Sequence, residues 1–115
     1  MRIVDRGSRV SLVELQEMAA GMFGDLVKAV VDVRREIMAI DAELHADEEA
    51  LLLENGSDHS ELWGINLYPG LDGEDFIEYD SMINLRPSRG NRSRGVQDSG
   101  LRERIQTIVN GLVTR

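Results

Sequence analysis

The sequence predicts an α+β fold, a four-stranded antiparallel meander sheet flanked by an N-terminal and a C-terminal helix. Apolar residues recur at helical spacing near both ends of the 115-residue chain. The middle holds apolar stretches separated by turn-forming Gly, Pro and Asn. Strands that follow one another with short turns favour a meander, so we expect both helices to pack on one face of a single domain over residues 1–115.

A capping box predicts the first helix, over Leu12–Phe23. The Ser11 hydroxyl can accept from the Glu14 amide, and the Glu14 carboxylate can reach back to the cap. Gly24 suits the left-handed residue that follows a last turn. The apolar stripe of this helix is Leu15, Met18, Ala19 and Met22. Residues 2–5, before the helix, are predicted as a short edge strand or a disordered end.

The stretch Leu26–Glu54 allows two structures. A hairpin with its tip at residues 41–42 sorts the apolar residues onto one face and places both of its arginines opposite acids, with Arg35 opposite Glu48. A single long helix, leaving one β-hairpin elsewhere, is the alternative, because the apolar spacing is heptad-like and the second half is rich in Ala, Glu and Leu. The β-branched residues at its start favour the hairpin.

The second half of the chain predicts two strands, a loop and a helix. Strands are expected over residues 62–68 and 76–85, joined by turn chemistry at 69–73. Residues 86–95 form a loop by composition, and Asp98 is a suitable N-cap for the last helix. The apolar stripe of that helix is Leu101, Ile105, Ile108, Val109 and Leu112. Trp63 is expected in the core, His59 in an exposed loop, and Asn66 and Asn84 on a solvated sheet face.

Composition narrows the function classes. The net charge of −8 opposes general nucleic-acid binding, which needs a basic surface. The absence of cysteine excludes disulfides and thiolate chemistry. No apolar run approaches the about 20 residues needed to cross a bilayer, and the N-terminus lacks the apolar core of a signal peptide. We therefore expect a cytoplasmic protein without a membrane partner.

The charges are unevenly distributed along the chain. Residues 32–80 hold fifteen acids and two bases, whereas residues 86–94 hold four arginines and no acid. Arginines hold phosphate bidentately, and nearby glycines let backbone amides approach an anion. The alternative is that these arginines fasten the loop to the acidic part of the chain. The candidate anion- or partner-binding residues are Arg86, Arg89, Asn91, Arg92 and Arg94.

A second candidate site depends on the hairpin. On a strand, Glu43, His45, Asp47 and Glu49 point the same way and form an acidic face, where carboxylates and an imidazole suit Mg²⁺, Mn²⁺ or Zn²⁺. On a helix these residues spread around the axis and the site is lost. No other cofactor is predicted. The same hairpin makes Arg35 and Glu48 a buried-pair candidate.

Four segments, FGDLVKAVVDV, ELHADEEALLLENGS, LWGINLYP and INLRPSRGNRSRGV, resemble a family of short prokaryotic proteins known only as a domain of unknown function. The resemblance covers nearly the whole chain and implies a compact single-domain prokaryotic protein. It supplies no activity, ligand or catalytic residue.

Two functions remain open. The first is a small cytoplasmic binding or interaction module, with an exposed acidic sheet face, an Arg-rich loop, and a protein partner or homodimer at its open sheet edges. The second is an enzyme for a phosphorylated or nucleic-acid substrate. Its Arg loop would bind the anion, and His45 with Glu43 or Asp47 would act as acid–base groups or metal ligands.

Overall fold

The computed structural model describes residues 1–115 and has the predicted α+β class, with helices near both ends of the chain. A five-stranded antiparallel sheet has the order β1-β4-β3-β5-β6, and β2 pairs in parallel with β7. The elements are β1 (Arg2–Val4), β2 (Val10–Ser11), α1 (Leu12–Ala20), β3 (Val27–Asp32), β4 (Ile37–Ile40), α2 (His45–Glu54), β5 (Leu62–Leu67), β6 (Ile77–Glu78), α3 (Ser99–Leu112) and β7 (Val113–Thr114).

The hairpin in the central stretch turns at residues 33–36, so the predicted tip at residues 41–42 is wrong. The Asp32 carboxylate accepts hydrogen bonds from the backbone N–H groups of Arg34 and Arg35, each at 2.9 Å. An Asp side chain that binds backbone donors two and three residues ahead stabilises a turn without Gly or Pro. The two strands then pair with Asp32 opposite Ile37.

The second half of the same stretch forms α2, where the hairpin prediction expected a returning strand. The alternative of one long helix over 26–54 is also wrong, because β3 and β4 occupy its first half. The β-branched residues near the start favour a strand, whereas Ala, Glu and Leu in HADEEALLLE favour a helix. The stretch therefore contains both structures, one after the other.

The strand predicted over residues 76–85 is much shorter, and only Ile77–Glu78 pairs with β5. The chain then leaves the sheet through a 3₁₀ turn at Met82–Asn84. The Ser81 hydroxyl accepts from the Ile83 N–H at 3.3 Å and helps to form this turn. At the opposite edge of the sheet, β1 pairs with β4, so residues 2–4 are an edge strand.

One side of the sheet, called here the first face, is covered by α1 and α3 as predicted. A cluster of 21 buried apolar residues joins both helices to β3, β4 and β5, with Ile65 and Ile105 near its centre. The capping box is present: Ser11 Oγ accepts from Glu14 N, and Glu14 Oε1 accepts from Ser11 N, both at 3.0 Å. α1 ends at Ala20, three residues before the predicted end. Asp98 caps α3.

The opposite side, the second face, is covered by α2 and by residues 81–94, called here the 81–94 segment. The smaller apolar cluster there contains Val30, Ala39, Leu52 and Leu62. The exposed acidic sheet face that the sequence suggested is therefore absent. None of the three α-helices has the length and apolar character needed to span a membrane.

Gly64 allows the 81–94 segment to lie directly on β5. A Cβ atom at this position would lie 2.5 Å from the Ser81 Cβ, well inside van der Waals contact. The Asn84 side chain accepts from Gly64 N and donates to Gly64 O, both at 2.9 Å. The Asn84 amide thus pairs with β5 as a peptide group of a neighbouring strand would, at a point that β6 does not reach.

Candidate functional site

The part of the second face that the apolar cluster does not fill contains a pocket of about 190 Å³, called here the His45 pocket. It lies where the start of α2, the end of β3 that carries Lys28, and the 81–94 segment meet. Its lining residues are Lys28, Leu44, His45, Ala46, Ser81, Met82, Ile83 and Arg94. None of them is an acid, although the protein as a whole carries a net charge of −8.

His45 is the first residue of α2 and is buried. Its Nε2 lies 2.8 Å from the carbonyl oxygen of Ile65, so Nε2 carries the proton and donates. Nδ1 is then an acceptor, and no group of the protein donates to it. Burial is the largest cause of a lowered pKa at His45; the charges of Lys28 and Arg94 add to it, while the hydrogen bond to Ile65 and the Asp80 carboxylate oppose it. The imidazole is therefore neutral at pH 7.

Two cations lie beside this imidazole. Lys28, the one lysine of the chain, has its Nζ 5.2 Å from the centre of the Phe23 ring and has no carboxylate within ion-pair distance. Arg94 donates from Nε to Asp80 Oδ1 at 2.7 Å, which leaves its two Nη groups without a hydrogen bond in the protein. No side chain caps the first turn of α2. Cations and free helix N–H groups together favour an anion.

Two further polar groups are buried on the second face near the pocket. Glu48 is fully buried; its Oε2 accepts from Ala42 N at 3.1 Å, while Oε1 has no partner. Burial raises the pKa of Glu48 to about 9, so this side chain is a neutral carboxylic acid at pH 7. Asn66 lies opposite Lys28 in the sheet register, and its Oδ1 also lacks a partner.

Arg86 forms a separate buried charge site. Its residue surface is 7 % exposed, and its guanidinium carbon lies 4.8 Å from the centre of the Trp63 ring. Arg86 Nη2 is 3.7 Å from Glu49 Oε2, and His59 Nε2 is 3.5 Å from the same oxygen. Burial lowers the pKa of Arg86 from its usual value. The cation–π contact and the ion pair hold Arg86 inside the protein, where it fastens the loop.

The five predicted residues of the Arg loop separate into four environments. Arg94 reaches the His45 pocket, and Arg86 is buried against Trp63. Asn91 is buried and donates to three carbonyl groups of the same loop at 2.6–3.1 Å, which makes it a structural residue. Arg89 and Arg92 are exposed. The loop therefore brings one arginine to the pocket.

The predicted acidic face does not form, because its residues belong to α2 and the turn before it. Glu43 and Asp47 are exposed, His45 is buried, and Glu49 points to Arg86. No three His, Asp or Glu side chains of the chain converge in a way that could hold a metal ion. Helical rather than strand geometry is the reason, since residues two apart on a helix point in different directions.

The predicted pair of Arg35 with Glu48 is also wrong. Arg35 lies in the hairpin turn, where its Nη1 donates to Asn55 O at 2.9 Å and to Ser57 Oγ at 3.1 Å. Glu48 faces the interior from α2. The pairing required a strand register that the early turn at residues 33–36 removes.

Sequence reasoning missed Lys28 and misplaced two asparagines. Asn66 and Asn84, expected on a solvated face, are both buried. Trp63 is buried and His59 exposed, as predicted. The signal for Lys28 was available: it is the single lysine and lies two residues before Val30, on the same side of β3.

Comparison with known proteins gives a family and no function. No curated protein and no solved structure matches this chain. The model of one family, described as "Protein of unknown function (DUF5674)", matches residues 3–112, nearly the whole chain. The resemblance to a domain of unknown function is thereby confirmed, and the chain belongs to this family.

Proposed function

We propose that this protein is a binding module that takes an anionic group in the His45 pocket. The observation that carries the proposal is that Lys28, Arg94 and the uncapped start of α2 meet at one small pocket. Lys28 has no carboxylate partner, and Arg94, whose Nε is paired with Asp80 at 2.7 Å, keeps both Nη groups free of hydrogen bonds within the protein. The cytoplasm of a prokaryotic cell, where small anionic metabolites are abundant, is the compartment that we propose for it.

The electrostatics of the pocket support an anion over a cation or a neutral ligand. Charges interact more strongly beside a partly buried surface than in bulk water, and hydrogen bonds between ionised groups are the stronger ones. The neutral His45 can accept through Nδ1 from a ligand O–H or N–H. A carboxylate offers an anionic oxygen to the cations, and a phosphate monoester in its singly charged form offers an anionic oxygen together with an O–H donor.

A titration with inorganic phosphate and with acetate tests the proposal directly. Amide signals of His45 and Ala46 should move in a two-dimensional NMR spectrum, and Lys28→Met or Arg94→Gln should weaken binding by about 10- to 100-fold, as expected for one charge-assisted hydrogen bond. Arg92→Gln is the matched control, because Arg92 is an exposed arginine of the same loop outside the pocket. Equal losses for the Arg92 and Arg94 variants would refute a localised site.

An enzyme is the second candidate function, and His45 favours it. A neutral imidazole with a free Nδ1 beside two cations can act as a general base on a bound phosphorylated or carboxylated substrate. His45→Gln keeps a donor near Ile65 O and removes the titrating ring. Hydrolysis of p-nitrophenyl phosphate by the unaltered protein, lost in this variant while anion binding persists, would favour the enzyme.

A homodimer through the free edge of β1 is a further part of the proposal. This strand pairs with β4 on one side only, but it has three residues, and short edge strands pair weakly. Light scattering during size-exclusion chromatography measures the oligomeric state. A strict monomer at high protein concentration removes this part of the proposal and leaves the His45 pocket untouched.

A further inference from the structure

The lining of the His45 pocket combines charged side chains with exposed apolar ones. Met82 is 62 % exposed, the largest value among the large apolar side chains, and Leu44 is 56 % exposed. Both line the pocket, and Ile83 beside them is half-buried. Single exposed apolar residues are ordinary on protein surfaces. Two that come from separate segments and meet at one charged pocket form a small patch that points to a ligand.

We infer that the ligand of this pocket is an anionic head group carried on a short aliphatic chain. This inference rests on the proposed function, because the head group is the anion assigned above to Lys28, Arg94 and the start of α2. The aliphatic chain would lie across Leu44 and Met82 and remove their side chains from water. The cations and the exposed apolar side chains of the same lining match the two ends of such an acid.

Size and charge exclude larger anions. The pocket volume of about 190 Å³ lies below the range of about 300–1,000 Å³ that is usual for drug-sized ligands, so a nucleotide does not fit inside it. The net charge of −8 repels polyanions such as nucleic acids at long range. A monovalent or divalent acid of low mass fits the volume and meets much weaker repulsion, because repulsion grows with the charge of the ligand.

Carboxylates and phosphate monoesters share this head-group chemistry, and two ligand series distinguish them. Acetate, butanoate and hexanoate form the first series, and methyl, butyl and hexyl phosphate form the second. Isothermal titration calorimetry should show affinity rising by about threefold to fourfold for each added methylene, until the aliphatic chain extends past Met82. The series with the tighter shortest member identifies the preferred head group.

A rim variant separates the apolar contribution from anion binding. The substitution Met82→Gln should reduce the dependence on chain length and leave acetate binding within about twofold of the unaltered protein, because Met82 is not among the groups assigned to the anion. The control is Leu53→Gln on α2, because the Leu53 side chain is 40 % exposed and lies outside the pocket. It should keep the full dependence on chain length.

The outcomes distinguish this inference from the proposed function. If acetate and inorganic phosphate bind through Lys28 and Arg94 but affinity does not rise with chain length, the aliphatic ligand is refuted and the anion pocket stands. If chain length matters equally in the rim variant, the apolar contact lies elsewhere and the inference is refuted. If no acid of either series binds, the proposed function itself is refuted.

Discussion

The two faces of the sheet differ in what they bury. On the first face, α1 and α3 enclose a continuous apolar cluster without a charged member. On the second face, α2 and the 81–94 segment bury His45, Glu48, Asn66 and Asn84 around a much smaller apolar cluster. Burying polar groups without full hydrogen bonding costs stability. The first face therefore stabilises the fold, whereas the second keeps costly groups that a purely structural face would not need.

Alanine substitutions on the two sides of β5 should show the largest difference in stability between the two faces. Ile65 faces the larger cluster and Leu62 the smaller one, and both are fully buried. We expect Ile65→Ala to cost about 4 kcal/mol and Leu62→Ala about 2 kcal/mol in unfolding free energy, because Leu62 lies in a much smaller apolar cluster, where neighbours close to the surface can collapse into the cavity. Urea denaturation measures both. A larger loss of unfolding free energy for Leu62→Ala than for Ile65→Ala would show that the second face contributes more to stability than the first.

The buried acid of the second face should make stability depend on pH. The folded pKa of Glu48, about 9, lies above the unfolded value of about 4.5. The contribution of this neutral side chain to the free energy of unfolding is therefore fully present below pH 4.5 and is lost as pH rises toward 9. The loss is about 1.4 kcal/mol per pH unit in that window. Glu48→Gln should remove the slope and stabilise the protein by about 3 kcal/mol at pH 7.

Urea denaturation at pH 5, 7 and 9 checks the Glu48 prediction. Asp47→Asn is the control, since Asp47 is the exposed neighbour on the same helix and should leave the slope unchanged. If the unfolding free energies of the unaltered protein and of Glu48→Gln change with pH in parallel, Glu48 titrates normally. The second face would then not contain a buried neutral acid, the clearest difference between the two faces.

Close packing of the 81–94 segment on Gly64 gives a smaller effect. Gly64→Ala should cost about 1–3 kcal/mol, because the new methyl group overlaps the Ser81 side chain. The double variant Gly64→Ala with Ser81→Gly should recover part of this loss, as a double-mutant cycle by thermal denaturation would measure. Gly70→Ala is the control, since nothing lies near its Cβ position. If the losses in unfolding free energy of the two single variants simply add in the double variant, the contact between positions 64 and 81 is contradicted.

The smallest effect belongs to the cap of α1 on the first face. Ser11→Ala removes the hydroxyl that accepts from Glu14 N, and we expect a loss of about 1 kcal/mol in unfolding free energy. Anion binding at the His45 pocket should not change, because α1 lies on the opposite side of the sheet. Ser88→Ala, an exposed serine without such a bond, should have no effect on stability. Weaker acetate binding in Ser11→Ala would show that the two faces are coupled.

Sequence patterns predicted the first face well because its signals are local. The Ser11 capping box, the Asp98 cap and the apolar stripe of the last helix depend on residues a few positions apart, and each is present. The hairpin tip was placed wrongly because the turn at residues 33–36 contains no Gly, Pro or Asn. Its main stabilising contact is a single carboxylate, that of Asp32.

The candidate site could not be assembled from the sequence, for a different reason. Lys28, His45 and Arg94 come from three elements far apart along the chain, and their meeting depends on how α2 crosses the sheet. The sequence did single out His45 and Arg94, although on a strand and a phosphate loop that do not form as predicted. The residue types of His45 and Arg94 indicated a possible site, whereas their positions relative to each other could be known only from the tertiary structure.

The hydrogen bonds of Asn84 to Gly64 have a consequence for self-association. The 81–94 segment blocks the exposed edge of β5 and also supplies Met82 and Arg94 to the pocket. When the segment detaches, unpaired backbone groups of a buried strand become available to another molecule, the usual start of strand-by-strand aggregation. A ligand that bridges Arg94 and α2 would keep the segment attached. If the protein binds an anion there as proposed, occupancy of the pocket would protect it from aggregation and link its solubility to the concentration of that anion.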